Sequence, residues 1–208
     1  MNIPTLKKMT TYNFSITKGS LFPEDSWHIC MDYLETKDWN QAKALSKSNS
    51  IFNTIKEKTF DTKYGLIKSR IDIFPIDLWA QMTEYEDFVN LLYVSACLRH
   101  QILGDFVIEV VREQHLIMQR QLSEDHYRTF MFRKMDDHPE VEKLQEYTLS
   151  KIRQTMLRVL SEVDIIESTK NWSITKPLLS DFLCQLLKDQ NKNYLKFFIM
   201  TDFEIESI

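Results

Sequence analysis

Glycine and proline are scarce in this chain: three glycines and five prolines in 208 residues. Sheet-rich folds spend both freely on turns and bulges, so so few breakers over such a length favour long uninterrupted helices. The expected class is mainly α, a multi-helix bundle. The length suffices for one large domain or two small ones with a core that needs no staples. With 43% hydrophobic and 27% charged residues the chain falls in the ordinary globular range. No stretch reaches the 18 or so apolar residues of a membrane span, and Lys7 and Lys8 are followed by no apolar signal region. Cys30, Cys97 and Cys184 lie far apart without a C-x-x-C pair, which reads as reduced core thiols and a cytoplasmic location.

The net charge of −4 hides an uneven distribution. From Lys37 to Arg70 there are eight basic residues against Asp38, Glu57 and Asp61; from Asp77 to His138 eleven acids stand against six bases. A basic N-terminal region thus adjoins an acidic centre, a pattern suited to local electrostatic binding or to a plain solvated helix face.

Breaks at Gly19–Pro23, Pro75, Ser123, Pro139 and Ser168–Pro177 divide the chain into an N-terminal helical region (1–76), central core helices (77–122) and a C-terminal region (123–208). In the first, helices over Glu24–Glu35, Trp39–Ser46 and Ile51 to about Phe74, with a break near Asp61 or Gly65, give a helix-turn-helix-like order. Lys47 to Ser50 form its turn, and Ser48 or Ser50 caps the third helix. Lys43, Lys47, Asn49, Asn53 and Lys56 then face outward as candidate DNA contacts. In the centre, Thr83 and Glu86 form a capping box opening a helix to about His100, and a further helix runs from Asp105 to about Gln121.

The C-terminal region reads as a winged helix: a helix from Ser123 to about Asp137, a short one over Glu140–Gln145, a long one from about Thr148 to Glu162, then β-prone Ile165–Ser168 and Trp172–Thr175 as a hairpin. At 100° per residue, Leu149, Ile152, Met156, Leu160 and Val163 form one apolar stripe of the long helix. Lys151, Gln154 and Arg158 point away from it, where a recognition helix carries its DNA-reading side chains, and Arg153 sits beside the stripe. Arg matches guanine, Gln matches adenine, and Lys151, Lys170 and Lys176 suit phosphates, with Asn171 beside them in the hairpin turn. Residues 139–177 carry six bases and six acids, so the segment is electrically neutral. Many winged helices place Gly after the recognition helix, whereas this chain has Val163-Asp164.

No phosphate-binding glycine loop and no G-x-S-x-G occurs, so nucleotide-dependent and elbow-serine catalysis lack their glycines. Asp136-Asp137-His138-Pro139 has metal-ligand residue types but reads as the end of one helix and the start of the next, and no other histidine has a partner at ligand spacing. The expectation is a non-catalytic binding protein without metal or cofactor.

Three segments, Tyr12 to Leu21, Leu103 to Glu109 and Tyr147 to Ile166, with the length and helix order, resemble the BrxA family of bacterial BREX phage-defence systems. The resemblance covers most of the chain through diffuse patterns and carries no residue roles. It implies an all-helical, non-catalytic accessory component that binds duplex DNA and assists a system that methylates host DNA and blocks phage replication. Two alternatives stand beside DNA binding: an adaptor docking onto a larger methyltransferase or ATPase of the system, and an RNA-binding protein like the helical antitermination factor NusB.

Overall fold

A computed structural model describes residues 11–52 and 56–208. In chain order its α-helices are α1 Pro23–Thr36, α2 Trp39–Ser48, α3 Glu57–Ile71, α4 Ile76–Trp79, α5 Tyr85–Arg99, α6 Gln101–Phe106, α7 Glu113–Leu116, α8 Glu124–Asp137, α9 Pro139–Glu142, α10 Glu146–Glu162, α11 Asp181–Asn191 and α12 Asp202–Ser207. Two 3-10 turns, Phe14–Lys18 and Lys192–Phe198, and a π-helical stretch, Val107–Arg112, complete the regular structure. The mainly helical class is as the scarcity of breakers implied.

Helix α5 is the axle of the molecule. From Asp87 to Cys97 every residue except Asn90 is buried, the mark of a helix covered on all sides. Helices α1 and α3 and the Lys192–Phe198 turn pack on it. At His100 the chain bends by 105° into the rod that runs from Gln101 to Leu116. That corner is tight at Gly104, where a Cβ would stand 3.0 Å from the Cys97 carbonyl oxygen and 3.2 Å from the Phe197 ring. Among the described residues no single helix is long and apolar enough to cross a membrane. One cluster of buried apolar side chains runs from Tyr12 to Ile205 and draws on every region of the chain.

Several helix starts follow from local chemistry. Pro23 occupies the first turn of α1, where its missing N–H costs nothing. The Asp38 carboxylate accepts from the Asn40 and Gln41 amides and so opens α2. Ser123 with His126 and Thr201 with Glu204 close reciprocal caps on α8 and α12. His138 ends α8 and Pro139 starts α9, the capping role read for Asp136–Pro139.

Four expectations are corrected. Helix α5 starts at Tyr85 after Glu84, with no side-chain cap, so the Thr83–Glu86 box does not form. The third helix begins at Glu57 and runs unbroken past Asp61 and Gly65. The expected Lys47–Ser50 turn is displaced, because α2 continues through Ser48, whose hydroxyl donates to the Leu45 carbonyl instead of capping α3. Asn49 to Phe52 lie outside any helix, and α3 starts only at Glu57. Finally, no strand occurs among the described residues, so the winged-helix hairpin is absent. The chain does reverse at Ser168–Asn171, and Ile166 meets Ile174 in one isolated antiparallel bridge flanked by Glu167 N–H to Ser173 O and Thr175 N–H to Ile165 O, both 2.9 Å. Pairing stops there because Asp164 turns left-handed (φ 54°) back into α10 on one side, and Pro177 offers no N–H on the other.

Candidate nucleic-acid interface

Helix α10 is amphipathic as its spacing requires. Ile152, Met156, Leu157, Val159 and Leu160 are buried, and Val163 just past its end is buried too. Lys151, Gln154 and Arg158 are exposed on the other side, and among the described residues none of the three side chains is held in an ion pair. Arg153 takes the snorkelling position: it pairs with Glu124 of α8, and its guanidinium lies 6.0 Å from the centre of the Tyr127 ring. Arg153 is the first cause holding the Glu124 carboxyl below its usual range. Tyr127 also donates its hydroxyl to the Leu149 carbonyl at 2.7 Å, so α8 fixes the rotation of α10 from two side chains. The exit that lacks glycine is made by Asp164 in the left-handed region, a conformation Asp tolerates better than most residues.

The remaining expected contacts are dispersed. Lys170 and Asn171 are exposed at the reversal, where the Ser168 hydroxyl accepts from both of their amides and the Asn171 side chain donates to Glu167 at 2.7 Å. Lys176 lies toward the C-terminal helices, paired with Glu204. On α2, Lys43 pairs with Asp61 at 2.7 Å and Lys47 with Glu57 at 2.8 Å, each ammonium also lying over a ring, Tyr64 and Phe60 respectively. The bond to Glu57 raises the Lys47 pKa, and Lys43 lowers that of Asp61. Asn49 is exposed at the end of α2 and Lys56 is exposed before α3; Asn53 lies outside the described residues. Acids of α3 therefore offset part of the positive field that the N-terminal lysines suggested, though exposed pairs of this kind hold only weakly against a phosphate competitor.

Between these two basic regions lies a connection that the charge pattern did not show. Residues 12–21 form a strap packed against α10 and α3. The fully buried Arg70 of α3 donates to the carbonyls of Ser20 and Gly19, the latter at 3.1 Å, and to His100 Nε2 at 3.4 Å. Glu162 of α10 accepts from the Leu21 amide at 2.9 Å. Burial lowers the Arg70 pKa to about 10 and raises that of Glu162, each partly countered by the other's charge. At the strap's far end the Tyr12 amide donates to Glu140 at 2.7 Å, its hydroxyl donates to Asp105, and its ring stacks on His138 with centres 3.8 Å apart. Lys134 closes the group by bridging Asp105 and Glu109. The three segments that carry the family resemblance, 12–21, 103–109 and 147–166, are thus joined by this strap. Among the described residues no group of histidine, cysteine and carboxylate side chains has a metal-binding arrangement.

The BrxA family model matches residues 10–191. A curated relative, the BREX protein BrxA of Paramagnetospirillum magneticum, is 23% identical over 186 residues, 88% of this chain and 94% of that protein. A solved structure described as an uncharacterized protein from Magnetospirillum magneticum is 21% identical and superposes with a TM-score of 0.73, covering 92% of this chain and 99% of its own. That likeness shows a shared fold, and the family match spans most of the sequence. The chain belongs to the BrxA family.

Proposed function

We propose that this protein is a non-catalytic accessory component of a BREX phage-defence system, working in the cytoplasm, and that it contacts duplex DNA through the outward face of α10. One observation carries the DNA reading: Lys151, Gln154 and Arg158 are exposed on a helix whose opposite face is locked into the core, and among the described residues none of them is held in an ion pair, so their side chains stand open to phosphates and base edges. The lysines of α2 add a weaker second contact, since each exposed pair with an α3 acid exchanges for a phosphate at little cost. Lys170, Asn171 and Lys176 lie farther along the chain and act only as flanking contacts.

The measurement that tests this is binding to duplex DNA, single-stranded DNA and RNA of matched length over a range of salt. Duplex binding that weakens linearly in log-log form supports the proposal. Absence of duplex binding at low salt sinks it, and a preference for RNA would support the NusB-like alternative. The adaptor reading has its own observation, an exposed apolar surface at the C-terminal end.

A further inference from the structure

The outward face of α10 is not wholly polar. Tyr147, in the first turn of the helix, is 74% exposed, and among the described residues it makes neither a ring contact nor a side-chain hydrogen bond. At 100° per residue, Tyr147, Lys151, Gln154 and Arg158 lie within about 60° of one another, and they span about 16 Å of the helix axis. They form one stripe with the ring at its N-terminal end, and of the exposed residues of α10 only Glu146 lies off it. We infer that Tyr147 is the apolar, base-reading contact of this face, its ring packing against the 5-methyl group of a thymine in the major groove of duplex DNA. The inference rests on the duplex-DNA reading of α10 and adds to it a contact that does not depend on charge.

Position and chemistry both select that contact. A helix seated in the major groove meets base edges with its N-terminal residues. Among the donors and acceptors displayed there, the thymine methyl is the one apolar group. Lys151 and Arg158 stand one and three turns beyond the ring, where they suit phosphates, whereas the carboxylate of Glu146 beside Tyr147 makes a phosphate unwelcome at that end. A tyrosine ring also brings a large contact area with few rotatable bonds, so holding it against a base costs little entropy. The core makes no use of Tyr147, since the buried Ile152, Met156 and Leu160 lie on the other side of α10. Its substitution therefore tests a contact rather than the fold.

The test compares two mixed-sequence duplexes of equal length, one with thymidine and one with deoxyuridine at every such position, which removes the methyl groups and leaves every charge in place. The full chain should bind the thymidine duplex about fourfold more tightly, the worth of one buried methyl group. Tyr147→Ala should weaken binding to the thymidine duplex about tenfold and abolish the preference. Its log-log salt slope should match that of the native chain, since no phosphate contact is lost. Tyr147→Phe should keep the preference, because the ring makes the contact. Phe203→Ala, at a ring 82% exposed on α12, should leave both affinity and preference as they were. Far-UV circular dichroism and the melting point of Tyr147→Ala should equal those of the native chain. Equal binding to the two duplexes, with Lys151→Ala and Arg158→Ala still reducing the salt slope, overturns the role of Tyr147 and leaves the α10 reading standing; so does a preference that survives in Tyr147→Ala. Absence of binding to both duplexes overturns the two together.

Discussion

His100 is the residue at which protonation and folding are most tightly linked. It is fully buried beside Arg70, and burial first, then the charges of Arg70 and Arg99, push its pKa down to about 3. In the unfolded chain it titrates near 6.5, so below that pH the unfolded state binds a proton the folded state refuses, and stability falls as the solution is acidified from 6.5 toward 3. The carboxylates whose pKa is lowered, Glu124, Glu140 and Glu204 among them, lose their contribution only below about 4.5. Between pH 6.5 and 5 this one histidine therefore removes about 1.5 kcal/mol, while Glu162, whose carboxyl pKa burial raises, acts with the opposite sign. Urea midpoints measured across that window should fall in the native chain and flatten in His100→Asn, whatever the variant's absolute stability. His115, also lowered but only half-buried, makes a smaller contribution of the same sign. A slope unchanged in the variant would show that His100 does not titrate as described.

At the scale of elements, α10 and the α5–α6 corner each make a sharp prediction. Replacing Lys151 and Arg158 by alanine should shrink the salt-dependence slope of duplex binding by about two and leave the fold intact, because each removes one phosphate contact from an exposed site. Lys43→Ala should change the slope less, since that ammonium already faces Asp61. Gly104→Ala should destabilise by about 1–2 kcal/mol, a fall of several degrees in melting temperature, because a backbone carbonyl at 3.0 Å cannot swing aside. The face of α10 was legible from spacing alone, since a 3.6-residue period assigns inside and outside without knowing the neighbours. The hairpin was not, because four β-prone residues on each side indicate propensity, while strand pairing needs a continuing partner that Asp164 and Pro177 deny. Nor was the α3 start: Ser48 and Ser50 have capping chemistry, but Ser48 bonds backward to Leu45. Arg70 and Glu162 were invisible as a pair because their tie runs through backbone groups of a third segment, which no residue pattern along the chain records.

For the whole molecule, the strap makes the N-terminal and C-terminal regions interdependent. Removing residues through Leu21 would strip the fully buried Arg70 of both carbonyl acceptors, leaving it only the contact to His100, and would strip the half-buried Glu162 of its amide donor. Such a chain should lose several kcal/mol and unfold broadly in guanidinium rather than in one cooperative step. A melt as sharp as the native one would show the strap to be dispensable. The same feature sets an order of events during synthesis. Leu21 waits for Glu162, its partner 141 residues later in the chain. At typical elongation rates that interval is on the order of ten seconds, long compared with the formation of any helix here. Throughout it the Leu21 amide lacks its α10 acceptor, so the growing chain cannot finish its own beginning until α10 has emerged, and a ribosome that stalls before that point should release a chain open to proteolysis.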